Sequence, residues 1–246
     1  MNKLPEITIF FWAMKICATT LGETAGDLFS MTMNLGYAVS SLLLLCIFLI
    51  SLVAQLRIRY HQPWLYWSVI LLTSTAGTTV SDFMDRTLGL GYGVGALLLA
   101  SLLAGLLVFW KITQHNISVS NVSGTKPEIL YWLVILVSNT LGTALGDYLA
   151  DSSGLGFFGG AMLISSVITI TAIAYWYTTV SRVALFWIAF VLTRPLGATI
   201  GDLMTKPIEH GGLNWGTQGS SFALFIILVS IILYTSRTAK PLATHN

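Results

Sequence analysis

Several acidic residues lie where an apolar chain has least use for them. "TLGETAGD", from Thr20 to Asp27, sets Glu23 and Asp27 one helical turn apart near the end of a long apolar run. Asp82, Asp147 and Asp202 end similar runs. Within a membrane such carboxylates do two kinds of chemistry: they bind hard cations through oxygen, or they carry protons. Asp costs about 2.5–3.5 kcal/mol at the bilayer centre and less toward the interface. Near a helix C-terminus it also meets the negative end of the helix dipole. Bearing that cost at one register in four places predicts carboxylates that face each other or a water-filled cavity. The bland alternative is a set of helix-ending residues in a structural polar network.

The neighbours refine this reading. Thr143 lies one turn below Asp147, and Asn139, which aligns with Arg194, offers an amide oxygen. Arg86 follows Asp82, and Lys206 follows Asp202, at i+4. Acid before base at that spacing is the favourable order on a helix. Met31 and Asp151 hold the same position after Asp27 and Asp147. Asp82 and Asp202 are therefore expected to be salt-bridged supports. Asp27 and Asp147, with Glu23 as a third, are expected to be the primary ligands or proton carriers. Lys15 and Arg194 are the remaining charges inside apolar runs. They are expected to pair with nearby acids or to compete with a cation. Against these two bases the five acids leave a formal −3.

Carboxylate, hydroxyl and amide oxygens suit Mg, Ca, Mn or Na. The expected ligand is a hard cation, divalent or monovalent, and no cofactor is implied. No His or Cys falls on the Asp register, which argues against zinc or copper. His61, His115, His210 and His245 read as loop or tail residues, and Cys17 and Cys46 as buried thiols. "GLGYGVG" from Gly89 opens an apolar run and follows no βαβ pattern, so a nucleotide site is not implied. There is no Ser/His/Asp arrangement, paired-His motif or basic nucleic-acid patch, and no enzyme is expected.

The elements that hold these residues are membrane spans. The 246-residue chain is 55% apolar and 9% charged, with a mean hydropathy of +0.79. A soluble domain carries about 25% charged residues. A helix spanning the bilayer needs roughly 20 mostly apolar residues. Eight runs qualify: 7–29, 36–56, 64–84, 91–112, 128–149, 156–178, 183–204 and 216–236. The first contains Lys15, Glu23 and Asp27, which is wrong for a cleaved signal sequence. Lys3, Arg57, Arg59, Lys111, Lys126, Arg182, Arg237 and Lys240 all fall on one side of an eight-span arrangement. The positive-inside rule then puts both termini in the cytoplasm. It also argues against the Asn-x-Ser triplets at Asn116 and Asn121 as glycosylation sites.

Four segments align without a gap: "WAMKICATTLGETAGD" from Trp12, "WSVILLTSTAGTTVSD" from Trp67, "WLVILVSNTLGTALGD" from Trp132 and "WIAFVLTRPLGATIGD" from Trp187. Each ends on its Asp, and a short turn with an aromatic follows: Tyr37, Tyr92, Phe157 and Trp215. The repeats are 7–56, 64–112, 128–178 and 183–236, within a single transmembrane domain over 1–246. Each holds two helices, so all cross in one direction and are parallel repeats. The pattern resembles a bacterial membrane-protein family known as a tandem repeat of unknown function, with two transmembrane helices and a Trp per repeat. That resemblance covers nearly the whole chain. It implies a fold and supplies almost no function.

Small-xxx-small pairs recur at Gly22/Gly26, Gly77/Ser81, Gly142/Gly146 and Gly197/Gly201. They let helix backbones approach closely in lipid. The second helix of each repeat holds an uncharged stretch: 40–56, 95–110, 161–176 and 221–235. The expected fold is an all-α membrane protein of eight transmembrane helices in a pseudo-fourfold bundle. The odd helices lie inside and the even helices face lipid. The repeat Trp residues, in the first turn of the odd helices, are expected in the interfacial aromatic belt. Roughly 22 Å at 1.5 Å per residue then carries each Asp into the outer part of a core about 30 Å thick. The expected function is transport of a small cation, coupled to protons, across a bacterial inner membrane. The expected partners are the lipid bilayer and that cation, with no nucleic acid; an oligomer is compatible with the sequence. The rival is an accessory or sensor protein whose acids form a structural network.

Overall fold

The computed structural model describes residues 4–114, 122 and 124–238. Lys3, His115, Lys240, His245 and the triplets at Asn116 and Asn121 lie outside the described residues. Eight long helices follow in order: α1 Ile9–Asp27, α2 Tyr37–Arg57, α3 Pro63–Asp82, α4 Tyr92–Gln114, α5 Thr125–Asp147, α6 Gly156–Tyr177, α7 Arg182–Thr205 and α8 Thr217–Thr238. Their starts are written locally. The Thr8 hydroxyl accepts from the Phe11 amide, and the Ser181 hydroxyl from the Ala184 amide, as N-caps do. Pro63 opens α3, where its missing N–H costs nothing. α7 continues through Pro195.

Six helices are long and apolar enough to cross a membrane; α1 and α3 are not among them. The reason is visible in their residues. α1 holds Lys15, Glu23 and Asp27, and α3 ends in the Thr- and Ser-rich run Thr73–Asp82. Nearly all of these side chains are buried in the bundle, so neither helix needs a lipid-compatible surface.

The odd helices pack in a closed ring: α1 on α3, α3 on α5, α5 on α7, and α7 back on α1. Each even helix then packs on the odd helix of the following repeat: α2 on α3, α4 on α5, α6 on α7, and α8 on α1. In their apolar windows α2 and α4 are 22% buried and α6 and α8 28%, against 67% for α5 and 56% for α7. The second layer is thus the exposed one.

Glycine sets the ring's tightness. A Cβ on Gly197 would stand 2.5 Å from Thr19, one on Gly201 2.9 Å from Glu23, and one on Gly26 2.7 Å from Thr78. A Cβ on Gly146 would meet Ala198 at 2.8 Å, and one on Gly142 would overlap the Arg194 side chain. Each pair receives the next helix of the ring, always at the same two repeat positions.

Two expectations need correction here. Trp67, Trp132 and Trp187 are buried at 2%, 0% and 4% exposure, not spread along an interface. Trp67 packs on Phe11 at 5.7 Å, Trp132 on Tyr66 at 5.6 Å and Trp187 on Trp110 at 5.7 Å. The rings fill the end of the bundle where the odd helices begin, and side chains from neighbouring helices converge there. Trp12 alone of the four is half-buried. Cys17 is buried but Cys46, on α2, is exposed. Gly216, at φ 75°, precedes α8. Gly36 and Gly91 do the same for α2 and α4 at φ 75° and 71°, a region open to glycine.

The link from odd to even helix also differs in repeat four. α1, α3 and α5 each run into a five-residue π-turn, over Leu28–Thr32, Phe83–Thr87 and Tyr148–Ser152. After α7, Lys206 is extended at ψ 155°. Pro207 follows it, and a residue before proline is pushed out of the helical region.

Candidate acidic site

The ring buries its polar residues in successive levels. Reading by repeat position, Lys15, Ile70, Ile135 and Phe190 are each 0% exposed. One turn further come Thr19, Ser74, Asn139 and Arg194, and then Glu23, Thr78, Thr143 and Ala198. The last level is Asp27, Asp82, Asp147 and Asp202, all buried.

Arg194 and Glu23 form the centre. The guanidinium donates to Glu23 Oε2 at 2.9 Å, to the hydroxyls of Thr78 and Thr143 at 2.6 Å each, and to the Ser74 carbonyl at 3.4 Å. Thr78 and Thr143 in turn donate to Glu23 Oε2 at 3.3 Å. Four ring helices therefore meet on one ion pair. Its neighbours are polar enough to hold both charges out of water.

Two cations straddle the aspartates. Arg86 Nε lies 2.9 Å from Asp82 Oδ1 and its terminal nitrogen 3.4 Å from Asp147 Oδ2. Lys206 Nζ lies 3.2 Å from Asp202 Oδ1 and 2.6 Å from Asp27 Oδ2. Each base thus binds its own repeat's Asp and the Asp of the next ring helix. Arg86 is also held from the side: it donates to the Tyr37 hydroxyl at 3.3 Å, and its charge lies 5.9 Å and 5.6 Å from the Tyr37 and Tyr92 ring centres. Carboxylate oxygens of Glu23, Asp147 and Asp202, from three helices, lie within 4.8 Å of one another.

Salt bridging does not divide the aspartates as the i+4 spacing implies. Asp27 has no base at i+4, and Asp202 is expected to be the supported residue. Lys206 clamps both, and the close group contains Asp202 in place of Asp27. The i+4 spacing foresaw the contact within each helix, but a long side chain at a helix end also reaches the neighbouring helix. Asp151 is exposed and outside the group. Asn139 is buried; its Nδ2 donates to Thr73 at 2.9 Å, while Oδ1 has no partner among the described residues. Thr143 is buried and bonded to both Arg194 and Glu23. Among the described residues Lys15 pairs with no acid. Its ammonium lies 4.0 Å from the Phe190 ring centre and has no hydrogen-bond acceptor among the described residues. It sits a level below Arg194, in a layer otherwise apolar. Thr78 was missed, although it shares the repeat position of Glu23 and Thr143. His61 and His210 lie outside the eight helices, as expected.

The fold and the site describe a four-repeat helical protein with a charged interior. A family model described as Repeat of Unknown Function (DUF347) matches residues 10–60, 65–116, 130–181 and 185–240. The chain belongs to that family. No curated protein and no solved structure matches it.

Proposed function

We propose that this protein moves a small cation across a bacterial inner membrane through the acidic site. In this reading all eight helices span the bilayer as a pseudo-fourfold bundle of parallel repeats. The even helices face lipid and both termini are cytoplasmic. One observation carries the proposal: Glu23, Asp147 and Asp202 bring carboxylate oxygens within 4.8 Å of one another while buried. Like charges that close need a bridging cation or proton. The five acids meet Arg86, Arg194 and Lys206 at ion-pair distance, which leaves them two positive charges short. A divalent cation, or a monovalent cation with a proton, makes up the difference.

Thermal unfolding of the purified protein against Mn, Mg, Ca, Na, K and Zn, followed by flux in proteoliposomes, tests this. A ligand held only by the folded state stabilises it by about 2.7 kcal/mol at a hundred times its Kd. Asp147→Asn is expected to remove both the shift and the flux. A folded Asp147→Asn protein with full flux would falsify the proposal.

A second reading is favoured by one observation. Each of the three clustered carboxylates already has a base within 3.4 Å: Arg194 on Glu23, Arg86 on Asp147 and Lys206 on Asp202. A purely structural network predicts no ion response. It also predicts similar losses of stability from Asp→Asn at all four aspartates.

A further inference from the structure

We propose that Lys206 is a tethered occupant of the cation site: its side chain swings out to water, and a small monovalent cation takes its place between Asp27 and Asp202. The proposal rests on the cation reading above and names the substrate class for it.

The two bases of the site are held very differently. Arg86 stands in a π-turn, bonded to the Tyr37 hydroxyl and close to two aromatic rings. Lys206 stands outside the helix on an extended residue, and among the described residues its ammonium has only Asp27 and Asp202 as partners. Its backbone does not need to move. The Leu213 amide donates to the Leu203 carbonyl at 2.7 Å, Trp215 to Met204 at 2.9 Å, and Asn214 to Lys206 at 3.0 Å. The side chain is 22% exposed, so it is not sealed inside the ring. Rotation about a flexible four-carbon stem is enough to empty the position.

What Lys206 leaves behind is shaped by an ammonium group. Its nitrogen stands 2.6 Å and 3.2 Å from oxygens on two helices. The longer spacing exceeds the distances of about 2.0–2.1 Å for Mg and about 2.3–2.6 Å for Ca. Exchange of one single charge for another leaves the ring two positive charges short as before, a balance that protons shared by the clustered carboxylates supply. A second, independent observation points to a ligand deeper in the ring. Asn139 Oδ1 is buried and has no partner among the described residues. It belongs to the level just beneath Glu23. Buried polar atoms are nearly always bonded, so this oxygen is an acceptor left for an arriving cation.

The test uses the full chain in detergent. Thermal midpoints are measured against potassium, ammonium and methylammonium, with choline to hold ionic strength constant. The variants are Lys206→Ala, Arg86→Ala and the pair Lys206→Ala/Asp27→Asn. Lys206→Ala is expected to respond saturably at concentrations at least about tenfold below those the wild type needs. The double variant loses that response and Arg86→Ala does not acquire it. Equal sensitivity in Lys206→Ala and wild type overturns the proposal. Should Lys206→Ala fail to fold, amine-reactive labelling of the wild type decides. Potassium is expected to raise labelling of Lys206 about threefold or more while the exposed Lys111 stays constant; an unchanged Lys206 overturns the idea. A wild type that binds ions with constant Lys206 labelling retains cation binding and loses the tethered lysine. A Lys206→Ala protein that binds methylammonium, beside a wild type with no ion response and no flux, keeps the tethered lysine and removes transport.

Discussion

Arg194 reaches from α7 to Glu23 on α1, its neighbour in the ring, 2.9 Å away, with neither side chain more than 3% exposed. The pair joins the first repeat to the last. It also closes the interior at the level where polar residues give way to Lys15 and its apolar neighbours.

Loss of one partner should therefore be severe. Arg194→Met strands a buried carboxylate, and breaking such a pair costs about 3–5 kcal/mol. Glu23→Gln/Arg194→Met is expected to recover most of that loss. Unfolding of the single and double variants in mixed micelles gives the coupling energy. Additive losses would mean that the pair does not act as a unit.

The glycine contacts make a paired prediction. Gly142→Ala forces a methyl group into Arg194, and overpacking of this kind costs about 1–3 kcal/mol. Gly105→Ala, on the exposed side of α4 with nothing within 4 Å, should be neutral or stabilising by up to about 1 kcal/mol. The difference in thermal midpoint between the two variants measures how tightly the ring is packed. Equal midpoints would contradict it.

Lys15 offers the opposite outcome. An ammonium with no acceptor among the described residues is costly to bury, and Ile70 and Ile135 hold the equivalent positions. Lys15→Met is expected to raise the thermal midpoint. If the lysine serves transport, flux falls in the same variant, so stability and activity move in opposite directions. A lower midpoint would point to a partner for the ammonium in the membrane-embedded protein.

The sequence carried the ring and its acids plainly, because their spacing records helix faces that must meet. Gly22, Gly77, Gly142 and Gly197 share a register with the aspartates, and each does lie where its helix meets the next. The Trp residues were harder to read. Distance along a helix from the membrane edge is the same for an outward and an inward ring, and only tertiary packing decides between them. The reach of Arg86 to Asp147 and of Lys206 to Asp27 was hidden for a related reason. Spacing within one chain segment says which acid lies one turn away, but not which one approaches from a neighbour. Thr78 gave a faint signal, its alignment with Glu23, that a residue-type search for charge overlooks. Pro207 gave a stronger one, since it marks repeat four as the place where the turn must differ.

The even helix of each repeat leans on the odd helix of the next, and α8 leans on α1. No two-helix unit is complete by itself: each offers a glycine groove on one side and the residues that fill such a groove on the other. Four separate identical copies could close the same head-to-tail circle. They would then carry the same residue at every position of a level. Four arginines would crowd the place of Arg194, or four glutamates that of Glu23. Joining the copies in one gene releases them from that identity. A single arginine can then pair with a single glutamate on the neighbouring helix, and two bases can serve four aspartates.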